Sequence, residues 1–182
     1  QIKGIQPICF ENACWAYTVG AAIAIKKGDK KAADAAADDY RGNEGHQGDY
    51  PAPEGDAHHD AVDLFHFGLG LAHRHLGNYN EAFDYFNEHL SVALAHHIDS
   101  EVPWAYINLG NIMLYLKNYS LSEQYLKEAL SFAEQNGIDG TLPYIYVNLG
   151  RSTLLAQNYD NALAWHGKAL EIRLQHLIGE VE

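Results

Sequence analysis

The feature that most limits what this chain can fold into is an internal repeat with a step of 40 residues. Leu69-Gly70, Leu109-Gly110 and Leu149-Gly150 stand one step apart, as do Asn78-Tyr79, Asn118-Tyr119 and Asn158-Tyr159. Ala82, Ser122 and Ala162 keep the same register, and so do Leu90, Leu130 and Leu170. The connectors repeat as well, Ile98-Asp99 with Ile138-Asp139 and Pro103 with Pro143.

Each unit reads as two helices, A and B. In the middle unit Pro103 opens helix A, where a missing N–H costs nothing, and Tyr106, Leu109, Met113 and Leu116 form a stripe at helical spacing. Lys117-Asn118-Tyr119-Ser120 is the turn, with Ser120 expected as N-cap and Glu123 completing a capping box. Leu121, Tyr125, Leu126, Ala129, Leu130 and Phe132 mark helix B, and Gly137 suits its left-handed end. Glycine at 70, 110 and 150 lets helix A approach helix B closely, and the small residue at 82, 122 and 162 does the same from the other side. Both are spacing requirements with no catalytic content.

These landmarks resemble the tetratricopeptide repeat family: its Leu-Gly pair on helix A, its small residue early in helix B at Ala82 and Ala162 with Ser122 as a departure, and its late small residue at Ala129 and Ala169, where His89 departs. The family's period is about 34 residues. The longer step here is similar to the repeats of kinesin light chains and of Leu-Gly-Asn-rich adaptors, and Lys168-Ala169-Leu170-Glu171-Ile172-Arg173 resembles the light-chain type. The resemblance covers residues 58–182. It implies an all-α fold, a right-handed superhelical α-solenoid of antiparallel helix pairs, forming one domain over 1–182 with repeats at 58–98, 99–138 and 139–178. Residues 8–40 are expected to be a degenerate first repeat, built on Gly20, Gly28-Asp29 and Ala32, and 41–57 an acidic Gly/Pro-rich loop.

The resemblance also implies a function: binding a protein or peptide along the concave face lined by helix A. Trp104, Asn108, Asn111 and Tyr115 of the middle unit are expected there, together with Tyr144, Asn148 and Arg151 of the last and Phe67 and Arg74 of the second. Ile107, Leu114, Val147, Leu154 and Leu155 accompany them. Asn108 and Asn148 share one repeat position, where an amide can both donate to and accept from a partner's main chain. Arg151 suits a partner carboxylate, and Trp104 and Tyr115 suit aromatic anchors.

Composition narrows the alternatives. The formal charge is −12, from 24 acidic and 12 basic residues, so a phosphate backbone is a poor partner. The longest apolar run, about residues 13–25, is shorter than the ~20 residues of a membrane span. Cys9 and Cys14 make no disulfide framework or zinc spacing and read as small buried residues. The chain opens on Gln1, so an N-terminal signal is not observable in it; a cytoplasmic location is favoured.

Among the eleven histidines, His59, Asp63 and His66 share one helical stripe, a weak metal candidate. Tyr106 and Tyr146 replace His66 in the sister repeats, however, and His66 and His73 fall on the stripe facing helix B, so they read as substituted core aromatics. His58-His59, His73-Arg74-His75 and His96-His97 read as surface groups, several of them able to make binding pH-sensitive. The sequence holds no nucleophile elbow, phosphate loop or HExxH. An enzyme is not expected, nor a cofactor. The alternatives to a peptide-binding scaffold are a self-assembling homo-oligomer that uses the apolar last helix, with Leu170, Leu174 and Leu177, and a His-rich metal or small-ligand carrier.

Overall fold

The computed structural model describes residues 56–179, with side chains from His66 onward except those of residues 176, 178 and 179. The expectations for 8–40, for Cys9 and Cys14 and for most of the 41–57 loop lie outside the described residues; Asp56 and Ala57 already begin the first helix. The chain divides into two compact units, Gln1–His96 and His97–Glu182.

In the first unit, helix α1 (Asp56–Leu76) and helix α2 (Tyr79–Ala95) are joined by only Gly77 and Asn78. So short a connection forces them antiparallel. Phe86 and Ala82 of α2 and Leu69 of α1 are fully buried between them. Three histidines share this core: His66, whose Nε2 lies 3.1 Å from Glu88 Oε2; His73, stacked on Tyr85; and His89, tilted against Phe67 with ring centroids 5.4 Å apart.

The second unit holds two such hairpins. Helix α3 (Val102–Tyr115) pairs with α4 (Tyr119–Asn136), and α5 (Leu142–Leu155) pairs with α6 (Tyr159–Gly179). A 3-10 turn over Asp139–Thr141 leads into α5, which packs on α4 and touches α3. Pro103 and Pro143 stand in the first turn of their helices. Leu126, Ala129 and Ala133 of α4 meet Ile145, Tyr146 and Leu149 of α5 in one core that also takes Ile107 and Ala169. Each leucine so buried contributes roughly 1.5–3 kcal/mol. Ser152 adds a polar tie, its hydroxyl donating to the Tyr119 carbonyl at 3.2 Å.

All three repeat glycines lie at helix-to-helix contacts. A Cβ at Gly70 would meet the Phe86 ring at 2.6 Å, one at Gly110 the Leu126 Cγ at 2.9 Å, and one at Gly150 the His166 ring at 2.6 Å. The facing residue is sixteen positions on in every case, so the 40-residue step is a step of packing as well as of sequence.

The turns differ from the expected capping box. Helix α4 begins two residues earlier than expected, at Tyr119, and its N-cap is Asn118, whose Oδ1 accepts the Leu121 N–H at 3.2 Å. Asn158 repeats this toward Asn161 at 3.4 Å. Ser120 stands inside the first turn because Lys117, just before the Asn118 cap, already ends helix A in the left-handed region. Gly77, Lys117 and Gln157 have φ of 80°, 61° and 62°. Their N–H groups, and those of the asparagines that follow, turn back to the last carbonyls of helix A, as Lys117 N to Leu114 O and Asn118 N to Met113 O. Gly137 ends α4 at φ 67°, as its sequence position indicates.

Candidate binding face

Residues 104, 108, 111 and 115 of α3 are spaced by four, three and four, so they form one row along the helix. Residues 144, 148, 151 and 155 repeat that row on α5, one step of the repeat away. Trp104 and Tyr144 touch, with ring centroids 5.0 Å apart. The Arg151 guanidinium lies over the Tyr115 ring at 5.7 Å. Tyr115, Val147, Leu154 and Leu155 are exposed, and Tyr144 keeps 48% of its surface open. An open aromatic and aliphatic strip beside a guanidinium can take apolar side chains and a carboxylate at once.

The two asparagines of the shared position are held alike. Asn108 Nδ2 donates to the Trp104 carbonyl at 2.9 Å, and Asn148 Nδ2 donates to the Tyr144 carbonyl at 2.8 Å. These bonds to the preceding turn fix each amide plane. Their depths differ: Asn108 is 6% exposed, whereas Asn148 is half-buried. Asn111 is half-buried too, yet its Oδ1 is shielded from water and accepts no hydrogen bond among the described residues.

Two expected companions sit elsewhere. Ile107 belongs to the core beside Ile145 and Leu149, and Leu114 is buried, because α3 is apolar on nearly every side and packs on more than one. Of the first-unit residues, Phe67 turns its ring toward Phe86 and His89 of α2, and Arg74 is half-buried. Arg173, which the row spacing does not reach, comes over the Tyr144 ring at 6.0 Å from helix α6. Only the fold, which sets α6 beside α5, could reveal it.

His73, expected at the surface with Arg74 and His75, is buried instead against Tyr85. His66 and His73 are buried as substituted core aromatics, and His75, His96 and His97 are exposed. Among the described residues no three His, Cys, Asp or Glu side chains come together as a cation site requires; the side chains of His59 and Asp63 lie outside those described. No described helix is long and apolar enough to cross a membrane.

Paired antiparallel helices, repeating in register and closed on small residues, define a helical-repeat protein of the tetratricopeptide class. A family model described as tetratricopeptide repeat matches residues 104–135 and 144–177, the two hairpins of the second unit. A second model, described as GGGtGRT protein, matches residues 1–99, more than half of the sequence, and the chain belongs to that family. That match ends within three residues of the boundary between the two units and takes in the hairpin around Gly70.

Solved structures are similar in fold. The crystal structure of BtubC (BKLC) from P. vanneervenii superposes with a TM-score of 0.67 at 23% identity, over 93% of this chain and 65% of that one. The apo form of RapI superposes with a TM-score of 0.65 at 18% identity, over 90% of this chain and 41% of that one. The chain thus spans under two thirds of either protein's length, and at these identities the likeness is one of fold. No curated protein matches the chain.

Proposed function

We propose that the chain is a protein-interaction scaffold whose second unit grips an extended segment or helix of a partner protein along the α3–α5 face. Tetratricopeptide repeats and helical-repeat neighbours support the coarser statement that this is an interaction fold. The observation that supports the finer one is the open strip itself: Tyr115, Tyr144, Leu154 and Leu155 are exposed side by side, with the Arg151 guanidinium 5.7 Å from the centre of the Tyr115 ring. Tyr144, Leu154 and Leu155 would take the partner's apolar side chains, and Arg151 and Arg173 an acidic one. The binding is non-covalent, with no catalytic step assigned.

The test is affinity. A peptide selected by display against the intact chain is titrated into the parent protein and into an Asn148→Ala, Arg151→Ala variant, with helicity checked by circular dichroism. A fall of at least tenfold in affinity, with helicity kept, is expected. Equal affinity for both proteins would remove the α3–α5 face as the binding surface.

A further inference from the structure

Helix α6 carries a second, separate apolar stripe. Leu163, Gly167, Leu170, Leu174 and Leu177 follow one another in steps of four, three, four and three residues, the spacing of a helix that pairs with another helix. All four leucines are exposed, Leu163 to 77%. One repeat earlier the same places hold Glu123, Lys127, Leu130 and Glu134 of helix α4 and Gly137 at its end, with Lys127 and Glu123 joined in an ion pair at 2.8 Å. There Leu130 packs against the core that α5 helps to build. The polar positions of α4 have therefore become apolar on α6, and the leucine that a neighbour covers on α4 is open on α6.

We infer that this face joins two copies of the chain, α6 against α6, about a two-fold axis passing between residues 167 and 170. Two features of the helix select a second copy. The first is charge. The chain as a whole carries −12, so two copies meet with like net charge. Helix α6 is balanced, with Asp160 and Glu171 against Lys168 and Arg173, so two copies of it meet without net charge repulsion. The second is shape. An antiparallel pair centred between 167 and 170 sets each Leu163 on the second copy's Leu174, and each Leu170 above the second copy's Gly167. A Cβ built on Gly167 meets nothing within 4 Å among the described residues, so the space above it is open to that leucine. One patch used by both copies is the commonest oligomer geometry. Four leucines on one helix make a small interface beside the ~1,600 Å² of a standard complex, so micromolar association is expected.

Sedimentation of the intact chain from about 5 µM to about 300 µM, bracketing that range, tests this. The mass should rise toward twice the 20.3 kDa of one chain. Gly167→Leu fills the seat without touching the chain's own hairpin, and Leu163→Glu with Leu170→Glu places charge in the pair. Both variants should stay monomeric at every concentration with unchanged helicity. A parent chain that remains monomeric throughout overturns the proposal, leaving that face to a different protein. A dimer that persists undiminished in both variants overturns it equally, by placing the contact elsewhere. The α3–α5 face is untouched by these changes, so peptide affinity should not move with them.

Discussion

Gly110 lies so close beneath Leu126 that a methyl group on it would sit 2.9 Å from the leucine's Cγ and 3.3 Å from the Ser122 carbonyl oxygen. Leu126 is fully buried and has no room to withdraw, and the same is true of Phe86 above Gly70. His166 above Gly150 is exposed, so its ring can swing aside. Gly70→Ala and Gly110→Ala should therefore each destabilise by about 1–3 kcal/mol through overpacking, less the ~1 kcal/mol that alanine returns in helix propensity. Gly150→Ala should be neutral or stabilising. Urea denaturation of the three variants checks the order.

Lys117 and Gln157 hold the left-handed conformation that Gly77 holds in the first hairpin. A side chain in that region costs roughly 1–2 kcal/mol, part of which glycine gives back through its freer unfolded chain. Lys117→Gly and Gln157→Gly should each raise stability by about 0.5–1 kcal/mol, read as a higher denaturant midpoint at unchanged slope.

Ser122 is wholly buried, and its hydroxyl has no hydrogen-bond partner among the described residues. Alanine stands at the equivalent positions 82 and 162, buried in the same way. Ser122→Ala removes an unpaired buried hydroxyl and should stabilise by about 1 kcal/mol. A loss of stability would mean that the hydroxyl has a bonded water or other partner.

Burial raises the Tyr146 phenol above its ordinary 10.0, and the carboxylate of Glu134, 3.5 Å from the hydroxyl, adds to the rise. Burial also raises Tyr106, with Glu128 next in effect. A raised phenol means that the folded chain holds its proton more tightly than the unfolded one. Stability is then intact below pH 10 and falls as pH climbs through and beyond it. The denaturation midpoint should drop as pH rises above about 10, and Tyr146→Phe should flatten that drop.

The hairpins were legible because three glycines and three small residues hold a step of 40, and nothing but close helix packing asks for such residues at that interval. Asn118 was harder to see as the cap. Asn118 and Ser120 both suit that position, and the choice between them fell to Lys117, whose left-handed turn no side-chain preference announces. The candidate rows were half legible. On α5, where the outer side is open, Tyr144, Val147 and Leu154 are exposed as the spacing indicates. On α3, which is apolar nearly all round, the spacing could not separate Tyr115 at the surface from Ile107 and Leu114 in the core. Arg173 reaches Tyr144 across helices, a contact no linear pattern carries.

The account rests on the α3–α5 face being where a partner lies, and nuclear magnetic resonance reads that directly. With a display-selected peptide added to the isotope-labelled intact chain, backbone and side-chain amide shifts should move along Asn111, Tyr115, Tyr144, Asn148, Arg151 and Leu154, while the outer stripe of α6 stays still. Shifts confined to α2, α4 or the Leu163–Leu177 side of α6, with the α3–α5 rows unmoved, would contradict it.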